Sequence, residues 1–521
     1  MARYTLLLFC LLSNLLLCAK STKEDELTPL ALSLRSLYKS LDPLSITEHL
    51  AFYELYPDSK EGKFALKRAW ELLSAGTIPA ENVKTLLPKF DIQAIISLIT
   101  RQSFDAPVKL NSDQLSLIEK VAERLSNRKL PGHKIWTKEE VLQLQPHEID
   151  LSRGLLIFQF DDQASIRDEI RNYEASIDLM ALQIAARLSP TSTSEEKIRA
   201  INHFIFQEMG FRFPPHSLYA KDIDLYTFLP SVLDNRQGVC LGVSILYLSL
   251  AQRLDLPLEI ITPPGHIYVR YNSGTKLINI ETTARGIHMP SEMYLGINTR
   301  RLQQRNIKEV IGMAFFNQAS VYWTKEDYKT AVTLYEKALP FLPEDSLLKM
   351  LLGLNYLFLG KKSDGIRLLK EIQTLTFDEA VSPESIPDDY LSGRVDIEGL
   401  KAIFLPVDEK RESILKKQQE LHAIVKKYPL FRAGLLHLAT TYLQTGRGSE
   451  AREILEKHHK LDPNNATIEY YLSILCLERL DFNRAWDYVN KAEQLTTARE
   501  HHPKALTALR EHLRRTCPEP L

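Results

Sequence analysis

Small and aromatic residues recur at regular spacing through the last third of this 521-residue chain. In frames of about 34 residues that begin at Gly312, they fall where two antiparallel helices would touch. The positions are Ala331, Tyr335, Ala338, Pro343, Gly353, Tyr356, Gly360, Gly365, Ala439, Tyr442, Gly446, Ala451, Leu455, Pro463, Ala485 and Ala492. Small residues let paired helices approach closely, and stacked pairs bury faces that one pair leaves exposed. The pattern predicts an all-α helical array over residues 301–521.

The predicted array has one interruption and two interpretations. Residues 377–408 contain Ser382-Pro383-Glu384 and Ile386-Pro387-Asp388-Asp389, so we expect a long surface loop with one or two short helices. The concave surface of such an array usually binds peptides or protein segments. Alternatively, the array is a rigid lobe that packs on the domain before it.

A cysteine lies at the start of a predicted helix in the middle of the chain. Apolar residues from Leu241 to Leu254 follow an amphipathic helical spacing, and Gly238 marks a turn just ahead of them. Cys240 therefore falls at the helix start. There the helix dipole and the unpaired backbone N–H groups favour the thiolate, which is the nucleophilic form of the side chain.

Three predicted strands follow this helix and place a histidine near a carboxylate. Residues 258–261, 267–271 and 276–281 have strand composition and are separated by turns. The hairpin formed by the last two strands would bring His266 and Glu281 to the same sheet edge. Cys240 as nucleophile, His266 as base and Glu281 as the group that orients the base would then form a catalytic triad. Otherwise, His266 only caps a turn and Glu281 is a solvated strand end.

Four ordered blocks around these residues resemble a known family. They are Arg236-x-Gly238-x-Cys240, Arg253-Leu254-x-Leu256-Pro257, Pro264-Gly265-His266-x-Tyr268 and Asn279-Ile280-Glu281-Thr282-Thr283. They look like the bacterial transglutaminase-like (papain-like cysteine) domain that is often fused to tetratricopeptide repeats, which the C-terminal frames also resemble. The resemblance implies an α+β papain-like core over residues 137–300 and a Cys-His-Asp triad, here carried by Cys240, His266 and Glu281. Glu281 departs from the usual Asp.

Further residues near the cysteine are weaker candidates for the site. The backbone N–H of Cys240 is the natural donor to an oxyanion. Asn235, Gln237 and Tyr226 are candidates for substrate binding or for a second oxyanion donor by proximity alone, and a structural role is the alternative for each. For Arg236 we expect a structural role, for example an ion pair with Asp234.

The N-terminus is typical of a secretory signal. The net charge gives no indication of binding to nucleic acid or to an anionic membrane. Residues 1–21 combine Arg3, an apolar run and small residues near Ala19 and Ser21. We expect an exported protein, periplasmic or secreted, with an uncleaved anchor or lipidation at Cys18 as alternatives. With 65 basic and 66 acidic residues, the chain shows no electrostatic footprint for nucleic acid or an anionic membrane.

Cysteine and histidine usage predicts no metal and no cofactor. Beyond the signal, only Cys240, Cys476 and Cys517 remain, too few for a disulfide framework, although a Cys476–Cys517 bond stays open. CxxC and paired-His spacings are missing from the sequence, and His458-His459 are expected to be exposed. Residues 22–136 have helical spacing and no recognisable constellation of catalytic residues.

Two functions fit these observations. The first is an exported thiol enzyme, a hydrolase or acyltransferase that acts on a protein or peptide amide, with the repeats recruiting its substrate. The second is a non-catalytic interaction scaffold that keeps a transglutaminase-like fold. Reactivity of Cys240 distinguishes the two.

Overall fold

The computed structural model describes residues 29–75, 92–100, 108–160, 166–214, 226–408 and 410–517. The predicted signal at residues 1–21, with Cys18, lies outside these residues. The chain divides into two compact units, Met1–Thr85 and Leu86–Leu521. The domain boundary predicted at residue 136 therefore falls inside the second unit.

The first unit is helical where it is described. Its helices are α1 Pro29–Lys39, α2 Ile46–Leu55 and α3 Lys60–Ser74. Ser45 and Ser59 cap α2 and α3 by accepting a backbone N–H of the first turn. The two helices pack on each other and bury Phe52 and Trp70.

The described part of the second unit begins with a group of helices. They are α4 Ile92–Thr100, α5 Ser112–Ala122, α6 Lys138–Gln143, α7 Leu151–Gln159, α8 Ile166–Ala185, α9 Ser194–Asn202, α10 Leu229–Asn235 and α11 Cys240–Arg253. Helix α11 is the central one, and it contacts α7, α8, α10 and the sheet. It was predicted to be amphipathic, but 12 of its 14 residues are buried. The prediction of one exposed face is wrong because neighbours cover the helix on all sides.

A four-stranded antiparallel sheet packs on α11. Its strands are β1 Glu259–Thr262, β2 Tyr268–Asn272, β3 Leu277–Ile280 and β4 Gln303–Arg305, in the order β3-β2-β1-β4. In this register Val269 faces both Ile260 and Ile280. The three predicted strands are present with ends shifted by a residue or so. Strand β4 pairs with β1 and extends the sheet past residue 300, the predicted end of the domain.

Gly242 permits the close approach of α11 to the segment before it. A Cβ atom at this position would lie 2.2 Å from the carbonyl oxygen of Tyr226 and 2.8 Å from Cγ2 of Val232. Only glycine fits against that backbone oxygen without moving it. The first turn of α11 is thereby held against the loop that precedes it.

The rest of the second unit is a helical array. Its helices are α12 Ile307–Thr324, α13 Tyr328–Ala338, α14 Ser346–Phe358, α15 Lys362–Ile372, α16 Ile386–Leu391, α17 Ile397–Ile403, α18 Arg411–Lys427, α19 Arg432–Gln444, α20 Gly448–Leu461, α21 Ala466–Leu477, α22 Phe482–Thr497 and α23 Lys504–Thr516. Extensive contacts join α12 to α13, α14 to α15, α19 to α20 and α21 to α22. The small and aromatic repeat residues Ala331, Tyr335, Ala439 and Ala485 are buried where these pairs meet.

The first repeat packs on the helices around α11. The ring of Phe315 in α12 lies 5.4 Å from that of Phe228 and 6.3 Å from that of Phe158, between centroids. Nδ2 of Asn317 donates to the hydroxyl of Thr227 at 2.6 Å. The array and the preceding domain therefore share a core.

The insertion at 377–408 is more ordered than the sequence suggests. It forms α16 and α17, and it buries Val395 and Leu400. Asp389, fully buried, accepts bonds from the backbone N–H and Nε of Arg432 at 3.0 and 2.8 Å, at the start of α19. The expected short helices are present, and the segment between them exposes Ser392 and Gly393 while it buries Val395.

The end of the array returns to the segment that follows β3. Nε2 of His501 lies 2.8 Å from the carbonyl oxygen of Gly296, and Nη1 of Arg300 donates to the carbonyl oxygen of Arg499 at 3.2 Å. A β-bridge also joins Thr299 to Ala380 of the insertion. These contacts fix residues 296–300 from outside the sheet.

Two side-chain predictions, for Cys476 with Cys517 and for His458, differ from the structure. Cys476 and Cys517 are not joined to each other, so the disulfide left open is not formed. His458 was expected to be exposed but is 1% exposed, and burial lowers its pKa to about 4.

Candidate active site

Cys240 is the first residue of α11. Its side chain is half-buried, and its backbone N–H, like those of the next residues, has no acceptor inside the helix. The preceding loop is fixed by backbone bonds, from Gly238 N to Arg212 O at 3.1 Å and from Val239 N to Tyr226 O at 3.3 Å. The thiol therefore has a defined position at the positive end of a buried helix.

His266 lies at the turn between β1 and β2, beside the thiol. Its Nε2 is 2.7 Å from Oε2 of Glu281, which leaves Nδ1 as the nitrogen available to Cys240. Burial opposes the charged imidazole, but hydrogen bonds and charge interactions with Cys240 and Glu281 outweigh it and raise the pKa of His266 from 6.5 to about 10. The imidazole therefore carries its proton at neutral pH while it faces the thiol.

Glu281 directly follows β3, and its side chain is 4% exposed. Its Oε1 accepts the backbone N–H and the hydroxyl of Thr283 at 3.1 and 2.6 Å, while Oε2 accepts from His266 and from the hydroxyl of Tyr294. Burial would raise the pKa of Glu281, but the bonds from His266, Thr283 and Tyr294 lower it to about 2. The carboxylate is thus charged and fully engaged throughout the ordinary pH range.

Two hydroxyl groups join the cysteine helix to the carboxylate strand. The hydroxyl of Thr282 donates to the carbonyl oxygen of Cys240 at 3.4 Å and lies 3.0 Å from the hydroxyl of Ser244. Both side chains are buried. The residue next to Glu281 therefore fixes the distance between that strand and the start of α11.

The backbone of Glu281 is held by a tight return loop. Its carbonyl oxygen accepts from Gly286 N at 2.8 Å, and its N–H donates to Ile287 O at 3.0 Å. Gly286 has φ +77°, and a Cβ there would lie 2.5 Å from the side chain of Asn202. Both the backbone conformation and the limited space therefore require glycine at position 286.

The weaker candidates have structural contacts. Nδ2 of Asn235 donates to Ser231 O at 2.8 Å, Gln237 is buried and bridges to Arg212 through its backbone, and Tyr226 offers a carbonyl oxygen to Val239. Nη1 of Arg236 donates to Met209 O at 3.2 Å. None of these contacts assigns a substrate role, so a second oxyanion donor stays a prediction.

The sequence interpretation missed the side chains that hold the carboxylate. Tyr294 and Thr283 both bind Glu281, and the Tyr294 ring stacks on the rings of His266 and Tyr268 at 5.6 and 5.1 Å between centroids. Tyr294 lies in a 3-10 turn, Ser291–Tyr294, where spacing carries no signal. Thr283 lies two residues after Glu281 in the quoted motif, so its proximity in the sequence was the one available indication.

A second charged cluster lies deeper, away from the thiol. His133, Asp150 and Glu174 each offer a ligand atom within 4.8 Å of the others. These ligand atoms already bind other protein groups. Nδ1 of His133 lies 3.0 Å from Asp150, and Nη2 of Arg153 lies 2.5 Å from Glu174. Guanidinium charge in this space opposes a further cation, so the donor set does not fit a metal.

Comparisons with known proteins agree with this architecture. Residues 171–305 match the family model described as "Transglutaminase-like superfamily", and residues 314–339 match that of "Tetratricopeptide repeat". The chain thus has a transglutaminase-like region followed by a helical repeat array, which confirms the predicted resemblance and fold class. Tetratricopeptide repeats generally mediate protein interaction.

The curated relatives are distant and only partly covered. A "UPF0162 protein" of Xylella fastidiosa (strain Temecula1) is 25% identical over 191 residues, which are 33% of this chain and 66% of that protein. "F-box only protein 21" of Pongo abelii is 23% identical over 198 residues, 34% of this chain and 31% of that protein. The chain therefore spans less than two thirds of the length of each.

Solved structures of repeat proteins are similar to part of the chain. TTC0263, a thermophilic TPR protein of Thermus thermophilus, is 20% identical with a TM-score of 0.19, covering 39% of this chain and 97% of that one. MamA is 18% identical with a TM-score of 0.19, covering 35% of this chain and 96% of that one.

Among the described residues, no helix has both the length and the apolarity to traverse a bilayer.

Proposed function

We propose that this protein is an exported thiol enzyme that hydrolyses or transfers the acyl group of a protein or peptide amide. One observation carries the proposal: a single imidazole contacts the half-buried thiol of Cys240 and the buried carboxylate of Glu281. This is the arrangement in which a thiolate is formed and its proton is kept ready for a leaving group.

The chemistry proceeds by two acyl transfers. The Cys240 thiolate attacks the amide carbon, and the oxygen becomes an oxyanion that the Cys240 N–H at the start of α11 can bind. The C–N bond breaks as His266 gives its proton to the leaving amine, which leaves a thioester on Cys240. Water or a second amine then attacks the thioester and loses a proton to His266. The C–S bond breaks, and the thiolate is restored.

Thiol reactivity tests the proposal. At pH 6 an ordinary thiol is less than about 1% ionised, so iodoacetamide should label Cys240 about 10- to 100-fold faster than the half-buried Cys517 in the same sample. His266→Gln should reduce the Cys240 rate to that of Cys517, and p-nitrophenyl acetate should leave an acetyl thioester on Cys240 in the unmodified chain only. Peptide mass spectrometry resolves each cysteine.

The control lies within the same chain, because Cys517 reports any general change in reagent or folding. Equal rates at Cys240 and Cys517, unaffected by His266→Gln, would contradict the enzyme and favour the non-catalytic scaffold. In either case the repeat array would be the surface that recruits a protein, as substrate or as partner.

Export is a separate part of the proposal and rests on the sequence of residues 1–21. We expect the mature protein to begin at Lys20 or Thr22, following cleavage after Ala19 or Ser21. N-terminal peptide mass spectrometry of the protein recovered from cell and extracellular fractions checks this. Met1 retained on protein that stays in the cytoplasmic fraction would contradict export, whereas lipid on Cys18 would make the protein membrane-tethered.

A further inference from the structure

The hydroxyl of Tyr294 and the imidazole of His266 share one carboxylate oxygen. Oε2 of Glu281 is 2.5 Å from the Tyr294 hydroxyl and 2.7 Å from Nε2 of His266. The two bonds therefore compete for the same negative charge, while Thr283 occupies the other oxygen.

The Tyr294 ring is also fixed against the imidazole. Its plane is inclined by 23° to that of the His266 ring, with 5.6 Å between the ring centroids. It is inclined by 22° to the Tyr268 ring, with 5.1 Å between the centroids. Tyr268 is fully buried, and its hydroxyl is 3.0 Å from that of Ser291. Ser291 in turn accepts Nδ2 of Asn279 at 3.0 Å. The Tyr294 ring is thus held by a chain of partly buried contacts that reaches β3.

The Tyr294 hydroxyl remains a donor at working pH. Burial and the bond to Glu281 raise the pKa of Tyr294, so the phenol keeps its proton. A donor on a carboxylate oxygen withdraws charge from that oxygen and makes it a weaker acceptor for a neighbouring group. Such a donor would lower the proton affinity of the imidazole that shares the oxygen.

We infer that Tyr294 is a positioning residue that tunes the proton affinity of His266 through the shared oxygen of Glu281. The inference rests on the proposed function, because its use is to let the imidazolium release its proton to a leaving amine. Without the hydroxyl, Glu281 would hold the imidazolium more strongly. The Tyr294 ring would still limit rotation of the imidazole.

The titration of His266 tests this inference in the absence of thiol chemistry. The Cys240→Ser variant removes the thiolate and so brings the titration of the His266 imidazole to lower pH. The titration is followed by NMR through the ¹³Cε1 signal of labelled histidine, and the His266 signal is assigned as the one that is lost in His266→Gln. In that background, Tyr294→Phe keeps the ring and removes the donor. We expect the midpoint of the His266 titration to rise by roughly 0.5 to 1 pH unit.

Tyr268→Phe in the same background is the matched control, since it removes a hydroxyl from the adjacent ring without removing a bond to Glu281. Its midpoint should stay at that of Cys240→Ser. An unchanged or lower midpoint for Tyr294→Phe, in protein that melts like the control, overturns the inference. The proposed function is judged separately by the alkylation of Cys240, so failure of one is not mistaken for failure of the other.

Discussion

Replacing Arg253 with leucine is expected to destabilise the transglutaminase-like region by about 3–5 kcal/mol. The Arg253 side chain is fully buried at the end of α11. Its Nε donates to Oδ1 of Asp178 at 2.7 Å, and its Nη1 donates to the hydroxyl of Ser152 and to the carbonyl oxygen of Ser249, both at 3.1 Å. Leucine fills part of the space, but it takes from the buried carboxylate of Asp178 one of its two guanidinium partners, Arg128 and Arg253.

The cost is large because Arg253 belongs to a balanced buried network. Three guanidinium groups, on Arg128, Arg153 and Arg253, face three carboxylates, on Asp150, Glu174 and Asp178, and the network also includes His133. Burial opposes ionisation of Asp150, but the His133 bond and the Arg253 charge hold the pKa of that carboxyl well below its usual range. Loss of the Arg253 charge removes a stabilising interaction from the ionised carboxylates of both Asp150 and Asp178.

Urea unfolding followed by hydrogen exchange in peptides of α7, α8 and α11 measures this effect in the domain itself. The double variant Arg253→Leu/Asp178→Leu leaves two guanidinium groups facing two carboxylates. It should recover part of the lost free energy of unfolding. Lys276→Met removes one partner of the more exposed Lys276–Glu195 pair at 2.8 Å and should cost no more than about 1 kcal/mol. If Arg253→Leu lowered the free energy of unfolding by a similarly small amount, the prediction that Arg253 stabilises the buried network would be wrong.

Local patterns were sufficient to place the thiol, the imidazole and the carboxylate. Cys240 at a helix start and the hairpin after His266 follow from turn residues and strand composition within about fifty residues, and the register of β2 with β3 then brings Glu281 to His266. The small residues of the repeats were equally readable, because each helix pair is built from residues near in sequence.

What the sequence could not show depends on distant or irregular contacts. Arg253 and Asp178 are 75 residues apart, and no spacing rule links them. Tyr294 approaches Glu281 from a 3-10 turn without periodicity. Apolar spacing described one face of α11, but the cover of its other faces by α8, α12 and the sheet is a property of the whole fold.

Glu281→Gln is expected to reduce the rate of acyl transfer to Cys240 by about 10²- to 10⁴-fold. Four donors face this carboxylate, two from Thr283 and one each from Tyr294 and His266. An amide has one acceptor oxygen. If that oxygen keeps the Thr283 bonds, an NH₂ group faces the Tyr294 hydroxyl and Nε2 of His266, so the imidazole loses the acceptor that fixes its tautomer. Acylation by p-nitrophenyl acetate measures the loss, and Glu292→Gln on the neighbouring 3-10 turn is the control.

The pH dependence of stability should change in the same variant. The pKa of Glu281 is lowered from 4.5 to about 2, so its stabilising contribution is present above pH 4.5 and is lost as the pH falls towards 2. The pKa of His266 is raised from 6.5 to about 10, so the contribution of the imidazolium is complete below pH 6.5 and is lost as the pH rises through 10. The free energy of unfolding should therefore differ most between the unmodified chain and Glu281→Gln from pH 4.5 to 6.5, and less at pH 9.5. A difference that stays constant from pH 5 to 10 would mean that Glu281 is not paired with a charged imidazole.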